Sequence, residues 1–318
     1  MLALVCRMGQ LVLQRDYPEP IPQSDEVLVR VTLAGICATD LEIVKGYVPD
    51  FSGVLGHEFV GVVEQAADSG WLGQRVVASI NSGCQTCETC HKSGPEHCPN
   101  RRSLGIHNQD GVFAEYVVVP VRNLHCVPDD VPDERAIFTE PLAAALRIRE
   151  QIVIRPSAKT AVIGPGRLGL LVAQVLHLAG EDVTLLGRRP DSLALPASWG
   201  LSTGLTTNYA DNWFDFVVEV TGNEAGLAEA LRLVRPLGSL VLKSTFAGGS
   251  QVDLTKIVVG EISVTGSRCG PFAPALRLLA GNALDTASLI TAEYSLAEAT
   301  AAFVRAAQPG VVKVLIRP

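Results

Sequence analysis

The sequence predicts an α/β protein in which a β-rich, barrel-like unit is followed by a doubly wound parallel sheet. Residues 1–138 contain short β-type runs cut by Gly and Pro, such as "EVLVRVTLAGI" and "FAEYVVVP", as in all-β barrels. From about Thr139 the order becomes strand, Gly-rich turn, helix and strand, as in "TAVIGPGRLGLLVAQVLHLAGEDVTLLGRR", which favours a doubly wound sheet. The last segments, after about Cys269, end with "VVKVLIRP" and either complete that sheet or return to the first unit.

Composition excludes several classes of protein. The 318 residues are 47% hydrophobic and 19% charged, so we expect two ordinary domains with large cores. The net charge of −7 argues against a nucleic acid or an anionic membrane as partner. No apolar run reaches the roughly 18 residues of a membrane span, and the N-terminus does not resemble a signal peptide. We therefore expect a cytoplasmic protein, and in that reducing compartment clustered thiols bind metal more often than they form disulfides.

Four thiols lie within the fifteen residues "CQTCETCHKSGPEHC". They are Cys84, Cys87, Cys90 and Cys98. C-x2-C turns let two thiolates bind one Zn²⁺, and four thiolates fill its tetrahedral shell. Such a closed site stabilises a lobe and leaves no position for substrate. The alternative interpretation is a set of free or redox-active thiols.

A second set of metal-binding residue types is spread over "AGICATDLEI", "GVLGHEFVGVVE" and "FTEPLAAAL". The candidates are Cys37, Thr39, Asp40, His57, Glu58 and Glu140. Cys, His and carboxylate ligands together are typical of a catalytic zinc with an open position for water or substrate. Each has an ordinary alternative, since a lone cysteine is usually a small buried hydrophobic residue. Their occurrence together with a thiol cluster favours the metal site.

The turn "VIGPGRLG" has the spacing G-x-G-x-x-G at Gly164, Gly166 and Gly169, and Arg167 and Leu168 open the helix that follows. Its position between a strand and a helix indicates a dinucleotide-binding turn. The first glycine permits the tight turn, the second lets the backbone approach the pyrophosphate, and the third lets helix and strand pack closely. The alternative is a structural turn without a nucleotide.

These residues, in this order, resemble the zinc-dependent medium-chain dehydrogenase/reductase superfamily, in the branch that contains threonine, sorbitol and other polyol dehydrogenases. The resemblance covers essentially the whole chain. It implies a GroES-like catalytic domain at 1–138 and 270–318, with a structural zinc lobe at 84–98, and a Rossmann domain at 139–269. The active site is expected in the cleft between the two domains, and the protein is expected to form a homo-oligomer, either a dimer or a tetramer.

By this resemblance, Cys37 and His57 fall on the ligands of a catalytic zinc, so two zinc ions per chain are expected. Glu58 and Glu140 both remain candidates for the carboxylate that completes the shell. Thr39 matches the hydroxyl that passes the alcohol proton away.

Asp40 matches an acid that orients the ligands. Glu42 stands where many relatives have a histidine at the end of the proton relay, so either Glu42 or solvent takes the proton. The chain is shorter than most relatives between Arg189 and Asp215, which leaves the length of that subdomain open.

The implied function is a zinc-dependent hydride transfer between NAD(P) and a small alcohol, secondary or polyol-type, or the corresponding ketone. Zinc lowers the pKa of the substrate hydroxyl, and the cofactor accepts the hydride. One alternative is a non-enzymatic regulator that binds zinc and nucleotide on the same fold, although such a protein need not keep an open zinc shell. Another is a zinc-free quinone reductase, which would lack both sets of metal-binding residues.

The end of the second Rossmann strand bears on the choice of cofactor. NAD enzymes usually carry Asp or Glu about 20 residues past the Gly motif, but "VTLLGRR" has Gly187 there, followed by Arg188 and Arg189. Without an acid there is no repulsion of a 2′-phosphate, and two guanidinium groups offer it charge-assisted hydrogen bonds. NADP is therefore predicted in preference to NAD. The alternative is an exposed arginine pair, with NAD bound through its ribose and the backbone.

Two later strand ends are expected beside the cofactor, because ligands of such sheets bind at the carboxyl ends of the strands. The candidates there are Val220, Thr221, Gly222, Lys243, Ser244 and Thr245. A plain strand end is the alternative for the last three. Tyr47, Phe59 and Asn81 are candidates for the substrate pocket wall, with packing as the alternative.

Overall fold

Strand-rich segments from both ends of the chain form one structural unit, and a parallel sheet in the middle of the chain forms another. The computed structural model describes residues 1–246 and 249–318. Its first unit comprises Met1–Glu140 and Phe272–Pro318, and its second comprises Pro141–Pro271. Both boundaries lie two residues beyond the positions expected from the sequence.

Strands and helices are numbered here in chain order. The strands are β1 (Ala3–Arg7), β2 (Gln10–Gln14), β3 (Glu26–Gly35), β4 (Ser52–Val54), β5 (Glu58–Ala66), β6 (Arg75–Ala78), β7 (Asn81–Ser82), β8 (Arg102–Ser103), β9 (Tyr116–Pro120), β10 (Leu124–Cys126), β11 (Lys159–Ile163), β12 (Asp182–Gly187), β13 (Ser202–Leu205), β14 (Phe214–Glu219), β15 (Val234–Leu242), β16 (Ser263–Gly266), β17 (Ile290–Ser295) and β18 (Lys313–Arg317). The α-helices are α1 (Ala38–Val44), α2 (Glu88–Ser93), α3 (Asp133–Ala136), α4 (Thr139–Gln151), α5 (Arg167–Leu178), α6 (Ala194–Ser198), α7 (Glu224–Leu233), α8 (Leu254–Val259), α9 (Phe272–Ala280) and α10 (Ala299–Ala306).

The main sheet of the first unit has the order β10-β6-β5-β3-β18-β17, and β9 also pairs with β3. β3 occupies its centre because the run "EVLVRVTLAG" is apolar nearly throughout and leaves only Arg30 exposed. The closing strand β18 pairs antiparallel with β3, with Leu315 opposite Gly35. The C-terminal segment therefore returns to the first unit.

The second unit contains a parallel sheet of order β13-β12-β11-β14-β15-β16. This is the 3-2-1-4-5-6 order of a doubly wound nucleotide-binding sheet, and the predicted fold class is confirmed for this part of the chain. Its core includes Ala161 and Ile163 of β11, Val217 of β14, and Leu227 and Leu231 of α7. Because neighbouring strands pair in parallel, their carboxyl ends lie at one edge of the sheet.

The segment between Arg189 and Asp215 is compact. Before β14 begins at Phe214, it contains the short helix α6, the four-residue edge strand β13 and two 3₁₀ turns. The third strand of the sheet is therefore present, with short connections on either side.

Candidate active site and metal centres

The four cysteines of the thiol-rich loop form one cluster in the first unit. Cys87 caps the N-terminus of α2, and the four Sγ atoms lie within 4.8 Å of one another. The Sγ atom of Cys98 lies 3.6 Å from that of Cys84 and 3.8 Å from that of Cys87, and those of Cys84 and Cys90 are 4.0 Å apart. Zn–S bonds of about 2.3 Å in a tetrahedron place the sulfur atoms about 3.8 Å apart. The cluster thus has the dimensions of a four-thiolate zinc site.

The loop around this cluster needs a glycine and supplies hydrogen bonds to sulfur. A Cβ atom at Gly83 would lie 2.7 Å from Cys90 Sγ, so a larger residue would displace that sulfur. The backbone N–H of Cys84 donates to Cys98 Sγ over 3.4 Å. Hydrogen bonds to Cys84, first from the hydroxyl of Thr86 and then from the backbone at Thr86 and Cys87, lower the pKa of Cys84 to about 5. Such donors favour the thiolate, which is the form that binds metal.

Three of the predicted catalytic-site residues also lie together. β3 and β5 pair antiparallel with Gly35 opposite Glu58, so the residues that follow β3 lie beside those that open β5. As a result, ligand atoms of Cys37, His57 and Glu58 lie within 4.8 Å of one another. His57 and Glu58 are buried, and Cys37 is half-buried. The carboxylate of Glu140, in the first turn of α4, is not part of this group.

Asp40 is fully buried and contacts both Cys37 and His57. Its Oδ2 accepts a 2.8 Å hydrogen bond from the backbone N–H of Cys37, and its Oδ1 lies 3.3 Å from His57 Nδ1. Neither Asp40 Oδ1 nor His57 Nδ1 has a hydrogen-bond partner in the described part of the chain. Burial alone would lower the pKa of His57, but the charges of Asp40 and Cys37 outweigh it and hold that pKa well above its usual value. The site therefore favours positive charge, as a cation-binding donor set does.

A buried ion pair adjoins these residues. Lys313 Nζ, on β18, donates to Glu58 Oε2, and the two side chains are only 3% and 1% exposed. Sequence reasoning misses this pair, since 255 positions separate its members. The available signal is a single lysine in the otherwise apolar run before Arg317. Because a buried charge needs a partner, the pair holds the carboxylate of Glu58 in place.

The start of α1 contains the candidate proton path. Cys37 Sγ donates to Thr39 Oγ1 over 3.8 Å, and Thr39 is half-buried. Glu42, one turn after Ala38, forms a 2.8 Å ion pair with Lys45. Thr39 is therefore close to the candidate metal ligands. The carboxylate of Glu42 instead forms an ion pair with Lys45, which is largely exposed.

The candidates for the pocket wall differ in their surroundings. Phe59 is buried within β5, and Asn81 Oδ1 accepts a 2.8 Å hydrogen bond from Ser103 Oγ. Tyr47 is half-buried. All three remain predictions for the pocket wall.

The Gly-rich turn of the second unit has the predicted strand-turn-helix context. Gly164 adopts φ +114°, and a Cβ atom at Gly169 would lie 1.9 Å from Gly164 O, so both positions require glycine. Gly166 caps the N-terminus of α5, and a Cβ atom there would contact nothing within 4 Å. Arg167 and Leu168 form the first turn of α5 and are half-buried. The backbone at Gly166 is thus open to a ligand at a helix N-terminus, where phosphate groups bind.

At the end of β12, close packing leaves little room for a side chain. A Cβ atom at Gly187 would lie 3.1 Å from Pro165 Cγ and from Ser192 Oγ. Arg188 and Arg189 follow and are exposed. One guanidinium nitrogen of Arg189 lies 3.3 Å from a carboxylate oxygen of Asp191, an acid that sequence reasoning does not consider. Two guanidinium groups and one carboxylate therefore share this turn.

The ends of β14 and β15 are joined by side-chain hydrogen bonds. The backbone N–H and the hydroxyl of Thr221 donate to Glu219 Oε1 over 2.6 and 2.5 Å, and Gly222 N donates to Ser244 Oγ over 2.9 Å. Thr221 and Ser244 thus lie at neighbouring strand ends. Lys243 is buried, and its Nζ donates to groups on α4 and after β16. Thr245 is exposed.

Comparison with known proteins assigns the chain to a family. The model of the alcohol dehydrogenase GroES-like domain matches residues 23–129, and that of the zinc-binding dehydrogenase family matches residues 168–281. The sorbitol dehydrogenase of Halalkalibacterium halodurans is 31% identical, over 96% of this chain and 95% of that protein. The chain belongs to the zinc-dependent medium-chain dehydrogenase/reductase superfamily. The predicted family and the predicted function as a zinc-dependent, NAD(P)-dependent oxidoreductase are confirmed.

Solved structures confirm the predicted fold class, a GroES-like domain joined to a Rossmann domain. A zinc-binding dehydrogenase of Sinorhizobium meliloti 1021 bound to NADP has a TM-score of 0.89 and 30% identity, covering 100% of this chain and 99% of that chain. The alcohol dehydrogenase RspB of Escherichia coli CFT073, in complex with NADH, has a TM-score of 0.88 and 26% identity, with the same coverage. Across residues 1–246 and 249–318, none of the helices has the length and apolar character needed to span a membrane.

Proposed function

We propose that this enzyme oxidises small polyol-type or secondary alcohols and reduces the corresponding ketones, with NADP preferred over NAD and with two zinc ions per chain. The observation that carries the proposal is the group formed by Cys37, His57 and Glu58, with Asp40 in contact with His57. Relatives named sorbitol dehydrogenase, L-galactonate-5-dehydrogenase and D-arabitol-phosphate dehydrogenase support a polyhydroxylated substrate.

Each metal-binding group would hold one zinc ion. The structural zinc would be held by Cys84, Cys87, Cys90 and Cys98. We assign the catalytic zinc to Cys37 and His57 together with the carboxylates Glu58 and Glu140. Position supports Glu58, which lies with Cys37 and His57, although Lys313 already neutralises its charge. Glu140 remains the other candidate. Replacing each carboxylate by its amide and measuring zinc content ranks them: the larger loss identifies the carboxylate that binds more strongly.

The protein's own residues prepare the substrate and remove its proton. Zinc at this site would lower the pKa of the substrate hydroxyl, and the nicotinamide would accept the hydride. Asp40 Oδ1 lies 3.3 Å from His57 Nδ1, so its charge would orient the imidazole and leave the other ring nitrogen for the metal. Thr39 lies next to Cys37 and takes the proton that the alcohol loses, after which Glu42 or solvent receives it. Lys313 holds the carboxylate of Glu58 in place through their buried ion pair.

The cofactor would lie along the carboxyl ends of the strands in the second unit. Its pyrophosphate would bind at the turn 164–169, with Gly166 at closest approach. Thr221 and Ser244 would border the nicotinamide half, since they lie on neighbouring strand ends.

The choice between NADP and NAD depends on the end of β12. The relatives described above contain NADP in one case and NADH in the other, so family membership does not decide it. Arg188 and Arg189 favour a 2′-phosphate, and Gly187 offers no carboxylate for the ribose hydroxyls. We therefore infer NADP as the preferred cofactor.

We also infer a homodimer, formed through the edge of the second unit's sheet. β16 is the edge strand, and large apolar side chains near it are exposed: Leu237 69%, Leu254 68%, Val258 73%, Val259 79% and Val264 41%. An unpaired edge beside exposed apolar residues is unusual for a soluble monomer. Two copies related by a twofold axis would pair β16 with itself.

All eight cysteines are free of disulfides, which fits a cytoplasmic location.

A turnover assay separates the enzyme from a non-enzymatic regulator. Purified, zinc-loaded protein is mixed with NADP⁺ and a panel of sorbitol, arabitol, galactitol and 2,3-butanediol, and NADPH formation is followed by absorbance. We expect turnover of at least one polyol, loss of turnover in His57→Ala, and normal turnover in Cys126→Ala, whose exposed thiol lies outside both metal groups. Binding of zinc and NADPH without turnover of any alcohol would identify a regulator.

A further inference from the structure

We propose that Lys243 is a positioning residue. It binds the two chain segments that connect the units and holds them at the end of β15. Through one of these segments it fixes α4, the helix whose first turn carries Glu140. The inference rests on the proposed function in one respect, the role of Glu140 at the catalytic zinc.

The ammonium group of Lys243 is buried and donates hydrogen bonds to groups in both connecting segments. The side chain is 8% exposed. Its Nζ donates to Ala144 O over 2.6 Å, to Ser267 Oγ over 3.2 Å and to Arg268 O over 2.9 Å. A lysine ammonium has three donor hydrogens, and these three acceptors lie in or beside the connecting segments.

The acceptors lie beside the two places where the chain passes between the units. The passages are at Glu140–Pro141 and Pro271–Phe272. Ala144 lies three residues after the first passage, and Arg268 lies three residues before the second. One side chain therefore binds both connecting segments on the side of the second unit.

The two connecting segments also contact each other directly. A Cβ atom at Gly270 would lie 1.9 Å from Ala143 O, so the backbones pass too closely for any side chain. Lys243 and this glycine together hold 143–144 and 268–270 as one block. Because Ala144 is one turn after Glu140 in the same helix, displacement of this block would move the carboxylate of Glu140.

A lysine at this position is not explained by packing alone. Burying an ammonium carries a large desolvation penalty, and an apolar residue of similar size is often equally stabilising or better. The preceding residues of β15, Leu240 and Val241, are buried and apolar. The hydrogen bonds that Lys243 donates to two carbonyl oxygens and one hydroxyl of the connecting segments offset that penalty.

The same strand end contacts the proposed cofactor site. Lys243 N donates to Glu219 O over 3.0 Å, and the neighbouring Ser244 Oγ accepts from Gly222 N. The connecting segments and the turn after β14 are thus attached to adjacent residues of one strand. Cofactor binding at this turn should reduce hydrogen exchange in the connecting segments as well.

Hydrogen–deuterium exchange of Lys243→Met tests the proposal. Methionine has a similar length and no donors. In protein without cofactor, we expect faster exchange in segments 139–147 and 266–271 and unchanged exchange in β11, β12 and β14. NADPH should slow exchange in both segments of the wild type and fail to do so in the variant. The matched control is Lys256→Met, which removes a 3.3 Å hydrogen bond to Arg232 O elsewhere in the unit and should leave both segments unchanged.

Kinetics distinguish positioning from a general loss of stability. We expect kcat to fall about 10–100-fold in Lys243→Met, the scale of a small misplacement of a catalytic group, with KM for NADP⁺ within about twofold of wild type. If Lys243→Met does not fold, Ser267→Ala removes one acceptor and should show the same local pattern at smaller amplitude. Wild-type exchange in both segments, or faster exchange throughout the sheet, would overturn the proposal. If the wild type turned over no alcohol, the proposed function would fail, and the exchange pattern would still decide the role of Lys243.

Discussion

Breaking the buried ion pair of Lys313 and Glu58 should lower the stability of the protein by a large amount. Lys313→Met removes the ammonium and leaves a carboxylate that is 1% exposed without its partner. Breaking such a pair costs about 3–5 kcal/mol. At about 2–4 °C per kcal/mol for a domain of 150–250 residues, Tm of the metal-free protein should fall by about 6–20 °C. The measurement is thermal unfolding followed by circular dichroism.

Two further variants isolate the pair from packing. Glu58→Gln combined with Lys313→Met removes both charges and should recover most of the loss, because no buried charge then remains unpaired. Lys45→Met breaks an ion pair whose lysine is 64% exposed and should change stability by less than about 1 kcal/mol. In zinc-loaded Lys313→Met the loss should be smaller if Glu58 contributes to the zinc shell, since the ion then supplies the missing positive charge. Equal Tm values for Lys313→Met and Lys45→Met, or a double variant no more stable than Lys313→Met, would refute the reasoning.

Three other predictions follow from the two metal groups and the end of β12. Cys37→Ala should lose turnover and keep its Tm. Cys90→Ala should lose its structural zinc and several degrees of Tm, because metal binding at the four thiols contributes to the free energy of folding. Equal turnover of Cys37→Ala and wild type would contradict the assignment of Cys37 to the catalytic zinc. Arg188→Ala combined with Arg189→Ala should lower kcat/KM for NADP⁺ by about 100-fold, because two charge-assisted hydrogen bonds at the lower end of their energy range are lost. A wild-type preference for NAD⁺, or undiminished use of NADP⁺ by the double variant, would show that the arginines do not bind a 2′-phosphate. Asp191→Asn should tighten NADPH binding a few-fold in a fluorescence titration, because its carboxylate lies 3.3 Å from Arg189 and repels a phosphate; unchanged affinity would place the phosphate elsewhere.

Local spacing made the fold class and much of the candidate site predictable. Cys37 and His57 stand in short motifs, and the pairing of β3 with β5 that brings them together follows from two apolar strand patterns. The glycines of the turn were recognisable for the same reason, since Gly164 and Gly169 meet within five residues of chain. In motifs of this kind, the conformation of one turn or one hairpin determines the positions of the residues.

The remaining features depend on contacts that no local pattern encodes. Lys313 reaches Glu58 because β18 returns to β3, across 255 positions of sequence. The direction of the Lys243 side chain depends on where α4 and the segment after β16 pass. Gly187 was interpreted as a missing acid, and the structure adds that Pro165 and Ser192 leave little room for any side chain there.

Zinc content of the wild type and of a Cys37→Ala/His57→Ala variant tests the central claim most directly. Both proteins are purified, incubated with zinc, desalted and measured by elemental analysis. One closed set of four thiols and one mixed set predict about two zinc ions per wild-type chain and about one per variant chain, with turnover confined to the wild type. About two ions in both proteins would contradict the assignment of the catalytic zinc to Cys37 and His57, and about one ion or none in the wild type would contradict the two-zinc account.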